Sequence, residues 1–254
     1  MNESIFRPYI ENFYNQYFKG FSEEEKIVKY AVEMAYSDTK RVLHGIGSES
    51  NKKKKEEALE KITEKIQNNF LIAGVVDSFD TLHDELCNIW VNELGTDTPL
   101  GRYGKAQKII NMTFKYLYTY YYNIEDSDIL NKFKDCHFTL DSYTLRWLNG
   151  CKNVKNKPRC LNSETTWSKL NRMEYIEIQK YASECVKELF QETPMIEAEY
   201  LIWAGVNLYD ILIASVNIKN QFPDTKALDR VIHYMKQDEK TSLFKAIDLL
   251  KCDN

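Results

Sequence analysis

The sequence predicts an all-α protein, and three observations carry that expectation. Glycine (9 residues) and proline (5 residues) are scarce in a chain of 254, so few tight turns are available and long helices are favoured over many short strands. Apolar residues recur four apart, as at Ile5, Tyr9, Phe13 and Tyr17, which places them on one stripe of a helix. Helix punctuation also recurs: Ser22 precedes Glu23, Glu24 and Glu25, Gly45 and Gly47 follow an apolar run, and Thr193 precedes Pro194. A hydroxyl before acidic first-turn residues, a glycine after the last turn and a proline at the first helical position are start and stop signals.

Taken in order, the stripe at residues 3–19 predicts a first helix. Ser22 caps a second, which runs through Ile27, Tyr30, Ala31 and Met34 towards Leu43. The stretch SESNKKKKEEALEKITEKIQNNF reads as a solvated helix, because the Lys52–Lys55 run is followed at once by Glu56 and Glu57. The alternative for it is a phosphate-binding arm. Residues 70–94 form a helix or a pair of helices with Phe79, Leu82, Leu86, Ile89 and Trp90 facing inwards. GTDTPLGRYG, from Gly95 to Gly104, is the clearest turn. The helix after it, 105–122, is apolar nearly all round and belongs at the centre of the fold. A polar connection and the segment HFTLDSYTLRWLNG follow, then a loop at 150–166 and helical segments at about 167–191, 194–219 and 224–250. The expected architecture is an orthogonal array of roughly ten helices, a single domain over 1–254. Two lobes, 70–150 and 1–69 with 151–254, would flank a cleft.

Hydrophobic residues make up 43% and charged residues 28%, ordinary globular values that exclude global disorder. The formal charge of −4 weighs against a broad non-specific grip on nucleic acid, which phosphate contacts supply. It leaves room for a local basic face among 34 Lys and Arg. Six cysteines without a CxxC pair and four scattered histidines match no zinc or iron–sulfur spacing, so no cofactor is expected. The opening MNESIFRPYIENF lacks the charged-then-apolar order of a signal peptide, which predicts a cytoplasmic protein with reduced thiols. The most apolar window, Ala198 to Val216, contains Glu199, Asn207 and Asp210 and predicts a buried helix rather than a membrane span.

Chemistry concentrates between Pro99 and Trp147. A turn bearing Gly101 and Gly104 opens a helix, where backbone N–H groups can hold a phosphate. Asp141 stands between an apolar run and the TLRWL helix, where a carboxylate is partly desolvated and suited to acid/base or electrostatic work, or serves as an N-cap. The ordered set of glycine turn, lysine, apolar helix and LDSYTLRWL resembles the helix-hairpin-helix DNA glycosylase superfamily. It is most similar to the archaeal 8-oxoguanine DNA glycosylase branch, over about residues 99–147. The turn reads GRYG where that superfamily has Gly-apolar-Gly. The resemblance implies a helix-hairpin-helix glycosylase-like fold, a DNA partner and excision of a damaged or modified base flipped into a pocket. Lys105 would be the nucleophile at the sugar C1′, Asp141 would stabilise developing positive charge, and Lys108, one turn on, could take either role. Gly101, Arg102, Tyr103 and Gly104 would meet the DNA, and Trp147, Trp167, Tyr103 and Trp203 are candidates for base stacking. The alternatives are a catalytically inactive helical module that binds nucleic acid and a helical protein-interaction module.

Overall fold

The computed structural model describes residues 6–72, 78–151 and 154–206. Among these the chain is all-helical and without strands, as the scarcity of turn residues predicts. Nine helices pack on one another: α1 (Arg7–Tyr17), α2 (Ile27–Thr39), α3 (Glu49–Ile66), α4 (Phe79–Leu94), α5 (Tyr103–Asn123), α6 (Ser127–Asn131), α7 (Ser142–Gly150), α8 (Arg172–Phe190) and α9 (195–206). Ile5 and the segments 207–219 and 224–250 lie outside the described residues. No helix among the described residues is long and apolar enough to cross a membrane.

The centre is α5, as a pattern apolar nearly all round predicts. Every residue from Tyr103 to Tyr121 is buried, and the helix touches α1, α2, α4, α6 and α8. At its tyrosine-rich end two of the buried rings have carboxylate acceptors for their hydroxyls. Tyr116 donates to Asp38 at 2.7 Å, and Tyr118 donates to Glu197. The rings of Phe13, Tyr17 and Phe18 pack on Tyr116. A second aromatic cluster joins Phe70, Phe79, Phe114 and Phe133. Burial of rings such as these is the main favourable term in folding.

Residues 49–66 form the solvated helix expected of them. Only Ala58, Ile62 and Ile66 are buried, four apart, and Lys53 meets Glu57 one turn on. Within 70–94, Phe79–Leu94 form α4, Phe70–Ile72 end a separate π-helical turn, Gln67–Ile72, and residues 73–77 lie outside the described residues. Ser78 caps α4 by accepting from Thr81 N–H at 3.1 Å, and Ile89 is only half-buried.

Three starts differ from expectation, each through local hydrogen bonding. Ser22 caps nothing: Glu24–Lys26 form a 3-10 turn, and α2 begins after it at Ile27. The helix expected from Trp167 begins at Arg172, because Asn171 and Glu174 form a reciprocal capping box. Such a box satisfies two otherwise unpaired amides and fixes the boundary. Residues 167–169 make a separate 3-10 turn. The Thr193 hydroxyl donates back to Phe190 O, while Pro194 O takes the first helical bonds of α9, so the cap sits one residue later.

Candidate functional site

Asp141 ends an extended segment, 137–141, and starts α7. Its Oδ1 accepts the amides of Tyr143 at 2.9 Å and Thr144 at 3.1 Å, and the Thr144 hydroxyl accepts from the Asp141 amide at 2.8 Å. This is the cap that an aspartate before Ser-x-Thr invites. Its other oxygen, Oδ2, takes a hydrogen bond from Lys108 Nζ at 3.1 Å, and both side chains are less than 10% exposed. Cap and ion pair share one carboxylate, one oxygen each. The Trp167 ring lies 5.0 Å from Lys108 Nζ, within cation–π range.

The lysine facing Asp141 is therefore Lys108 and not Lys105. Lys105 sits one turn earlier on the same face of α5 and is 6% exposed. Burial lowers its ammonium pKa, and the charge of Arg102 lowers it further. Desolvation and a like charge both disfavour a cation, which favours the neutral amine form of Lys105.

The extended segment is fixed by polar residues buried on α5. Gln107 Nε2 donates to Leu140 O at 2.9 Å, and Asn111 Nδ2 lies 3.2 Å from Phe138 O. Lys115 pairs with Glu199, whose second oxygen accepts the Thr139 amide at 2.8 Å. Gln107, Asn111 and Lys115 are four apart in a mostly apolar helix. Buried polar groups must be partnered, so that line was a readable signal of what holds Asp141 in place.

Several residues expected to meet DNA have other roles. The Gly101 amide donates to Thr98 Oγ1 at 3.0 Å and the Gly104 amide to Leu170 O at 2.9 Å, so neither is available to a phosphate. Both glycines are required by close approach. A Cβ on Gly101 would run into Gly95 O, and one on Gly104 into Trp167 O, far inside van der Waals contact. The Gly104 contact seats the 167–169 turn and hence Trp167 over Lys108. Tyr103 is buried and donates to Asp84 at 3.0 Å. Trp147 is 4% exposed between Phe138 and Phe190, so it cannot stack on a base. Arg102 is exposed, Trp167 is half-buried, and Trp203, 37% exposed, packs on Tyr143.

A second polar cluster lies in a groove of about 1380 Å³ whose lining includes Asp80, His83, Tyr103, His137, Arg172 and Tyr175, and neither Lys108 nor Asp141. The Tyr175 hydroxyl meets His137 Nδ1 at 2.8 Å, His83 Nε2 at 3.1 Å and Asn111 Nδ2 at 3.0 Å, and His137 Nε2 meets Asp80 at 2.6 Å. One donor order accounts for these four bonds: His83 Nε2–H and Asn111 donate to Tyr175, Tyr175 donates to His137, and His137 donates to Asp80, while Asn111 Oδ1 is buried without a partner among the described residues. This order requires a neutral His83 and a protonated Tyr175. Burial gives both, pushing the His83 pKa well down and the Tyr175 pKa well up.

The depressed His83 pKa makes folding sensitive to acid. The unfolded chain takes up a proton near the ordinary histidine pKa of 6.5, whereas the folded chain does not. The contribution of His83 is whole above that pH and falls below it, by on the order of 1 kcal/mol per pH unit. Urea melts between pH 7.5 and 5 should show a flatter pH dependence in His83→Gln than in the wild type. Equal slopes would assign the acid sensitivity elsewhere.

Among the described residues no group of three His, Cys, Asp or Glu is placed to hold a metal ion. Comparison with protein-family models, with curated proteins and with solved structures found no match to this chain. The class established by the fold is thus an all-α protein with a buried lysine–aspartate pair at its central helix.

Proposed function

We propose that this chain is a DNA glycosylase/lyase-like enzyme that acts at the deoxyribose C1′ of a damaged or modified nucleotide. The observation that carries the reading is the Lys108–Asp141 pair at 3.1 Å, with the aspartate locked as a helix cap and Lys105 one turn away. The order of glycine turn, lysine, buried helix and capping aspartate resembles that of the helix-hairpin-helix glycosylases and supports the same reading.

The roles follow from the electrostatics. Lys105, whose cation is disfavoured, is the nucleophile. Its lone pair attacks C1′, and the C1′–N bond breaks with its electron pair leaving on the base, which takes up a proton. The attached nitrogen loses a proton, its lone pair forms the C1′=N bond as the C1′–O4′ bond breaks, and O4′ takes up a proton, which opens the sugar ring and gives a Schiff base. Asp141 faces the sugar as positive charge develops there. Lys108, ion-paired, holds the carboxylate in place.

The test is borohydride trapping on oligonucleotides carrying an abasic site or modified bases. Wild type should give a covalent adduct, Lys105→Ala should give none, and Lys108→Ala should keep the adduct at a reduced rate. An adduct lost in Lys108→Ala and kept in Lys105→Ala would exchange the two roles. Neither adduct nor base release on any substrate would sink the enzyme and favour an inactive binding module.

A further inference from the structure

The acidic net charge conceals a local excess. Residues 142–172 contain seven Lys and Arg against one acid, Glu164, a formal +6 in a chain whose total is −4. The irregular part of this segment has defined anchors. Lys157 Nζ donates to Asn149 O and Asn149 Nδ2 to Asn162 O, both at the C-terminal end of α7. Leu170 O accepts the Gly104 amide at the start of α5, and Trp167 covers Lys108. The loop therefore runs along α7, about 13 Å long for nine residues, from its far end back to the Lys108–Asp141 pair. Lys155, Lys157, Arg159 and Lys169 are exposed along it, and Arg102 stands exposed where it ends.

Two α8 carboxylates lie against this edge and lower its charge, but the five exposed cations Lys155, Lys157, Arg159, Lys169 and Arg102 against Glu164, Glu174 and Glu177 still leave a net +2. Glu174 is turned to the Asn171 amide in the α8 capping box, and Glu177 faces the Cys160 thiol. Asp84 is held by Arg172 at 2.6 Å, so Arg172 is left out of the count of available cations.

We infer that the loop 154–170, with Arg102 at its end, is the surface that grips a nucleic-acid backbone, in place of the glycine turn, whose amides are already bonded within the protein. The inference rests on the proposed function in that it leads the strand to the Lys108–Asp141 pair. The partner is a nucleic acid rather than a membrane. Spaced cations on a loop with no large exposed apolar side chain suit a chain of phosphates, whereas interfacial membrane binding also needs apolar side chains to insert. Trp167, at the inner end, is the ring nearest to the reacting pair.

The test uses the full chain and a fluorescein-labelled duplex carrying a tetrahydrofuran abasic analogue, with anisotropy as the readout. Lys155→Gln/Arg159→Gln/Lys169→Gln, which leaves the Lys157 anchor in place, is compared with Lys52→Gln/Lys53→Gln/Lys54→Gln, which removes the same charge from exposed positions on α3. The loop variant should bind about tenfold or more weakly at ~0.1 M salt. It should also lower the slope of log affinity against log salt by about three, one unit per lost phosphate contact. The α3 variant should match the wild type. Equal weakening in both, no weakening in the loop variant, no duplex binding by the wild type, or preference for phosphatidylserine vesicles over the duplex would each overturn the inference. Adduct formation with loop-independent binding would remove the inference and keep the enzyme. Loop-dependent binding with no adduct or base release would do the reverse.

Discussion

Lys115→Met should cost the fold about 3–5 kcal/mol, as removal of one partner from a buried ion pair does, and should lower the melting temperature by about 10 °C for a domain of this size. The pair with Glu199 spans 2.7 Å, and the two side chains are only 4% and 2% exposed. Methionine nearly matches the volume of the lysine stem between the rings of Phe13 and Tyr200, so lost packing is a minor part. The cost lies in the Glu199 carboxylate, stranded with the Thr139 amide as its one remaining partner among the described residues. The double variant Lys115→Met/Glu199→Gln removes that charge and keeps an oxygen for Thr139, so it should be more stable than Lys115→Met alone. A thermal or urea double-mutant cycle measures the coupling. A single variant costing under about 1 kcal/mol, or a strictly additive cycle, would mean that water already reaches the pair.

Lys115 also shows where sequence pattern stops being informative. The apolar residues around 105–122 predict a central helix because a helix apolar on all faces has nowhere else to go. That argument is blind to the polar residues it tolerates. Gln107, Lys108, Asn111 and Lys115 are buried only because the segment 137–141 and α9 bring acceptors from far along the chain. Boundaries failed for the opposite reason, being decided by competition between neighbouring caps. Ser22 loses to a 3-10 turn, and Trp167 loses to the Asn171–Glu174 box, local hydrogen bonds that periodicity does not weigh. Residues 49–66 were legible because their charges sit on a solvated face and need no distant partner.

At the site, Asp141 was legible as a cap because capping is local. Its lysine was not, because Lys105 and Lys108 share a helical face and only the path of 137–141 selects between them. The glycine turn misled. Glycine marks backbone that must come close to something, and here Gly101 and Gly104 come close to other backbone rather than to a phosphate. The aromatic candidates divide by burial, which single residues do not announce: Trp147 is packed away, whereas Trp167 remains beside Lys108. The basic excess of 142–172 was present in the sequence and is obscured by the acidic total.

The two jobs of Asp141 can be pulled apart by substitution. Asparagine caps helices as well as aspartate does, so in Asp141→Asn the side-chain oxygen still takes the amides of Tyr143 and Thr144. Its amide nitrogen, however, now faces Lys108 Nζ, donor against donor, and the negative charge is gone. Folding should lose about 3 kcal/mol from the buried lysine left unpaired. Adduct formation on an abasic-site duplex should fall about a hundred- to a thousandfold, the scale on which a positioned electrostatic group contributes to a transition state. Asp141→Ala should be equally inactive and less stable than Asp141→Asn by about 1 kcal/mol more, the value of the cap. Trapping rates read beside urea melts thus separate the functions, since the two variants agree in one measurement and differ in the other. If Asp141→Asn instead forms adduct at the wild-type rate, the carboxylate is a cap and an anchor for Lys108 and nothing more, and the chemistry must then be sought at Lys105 alone.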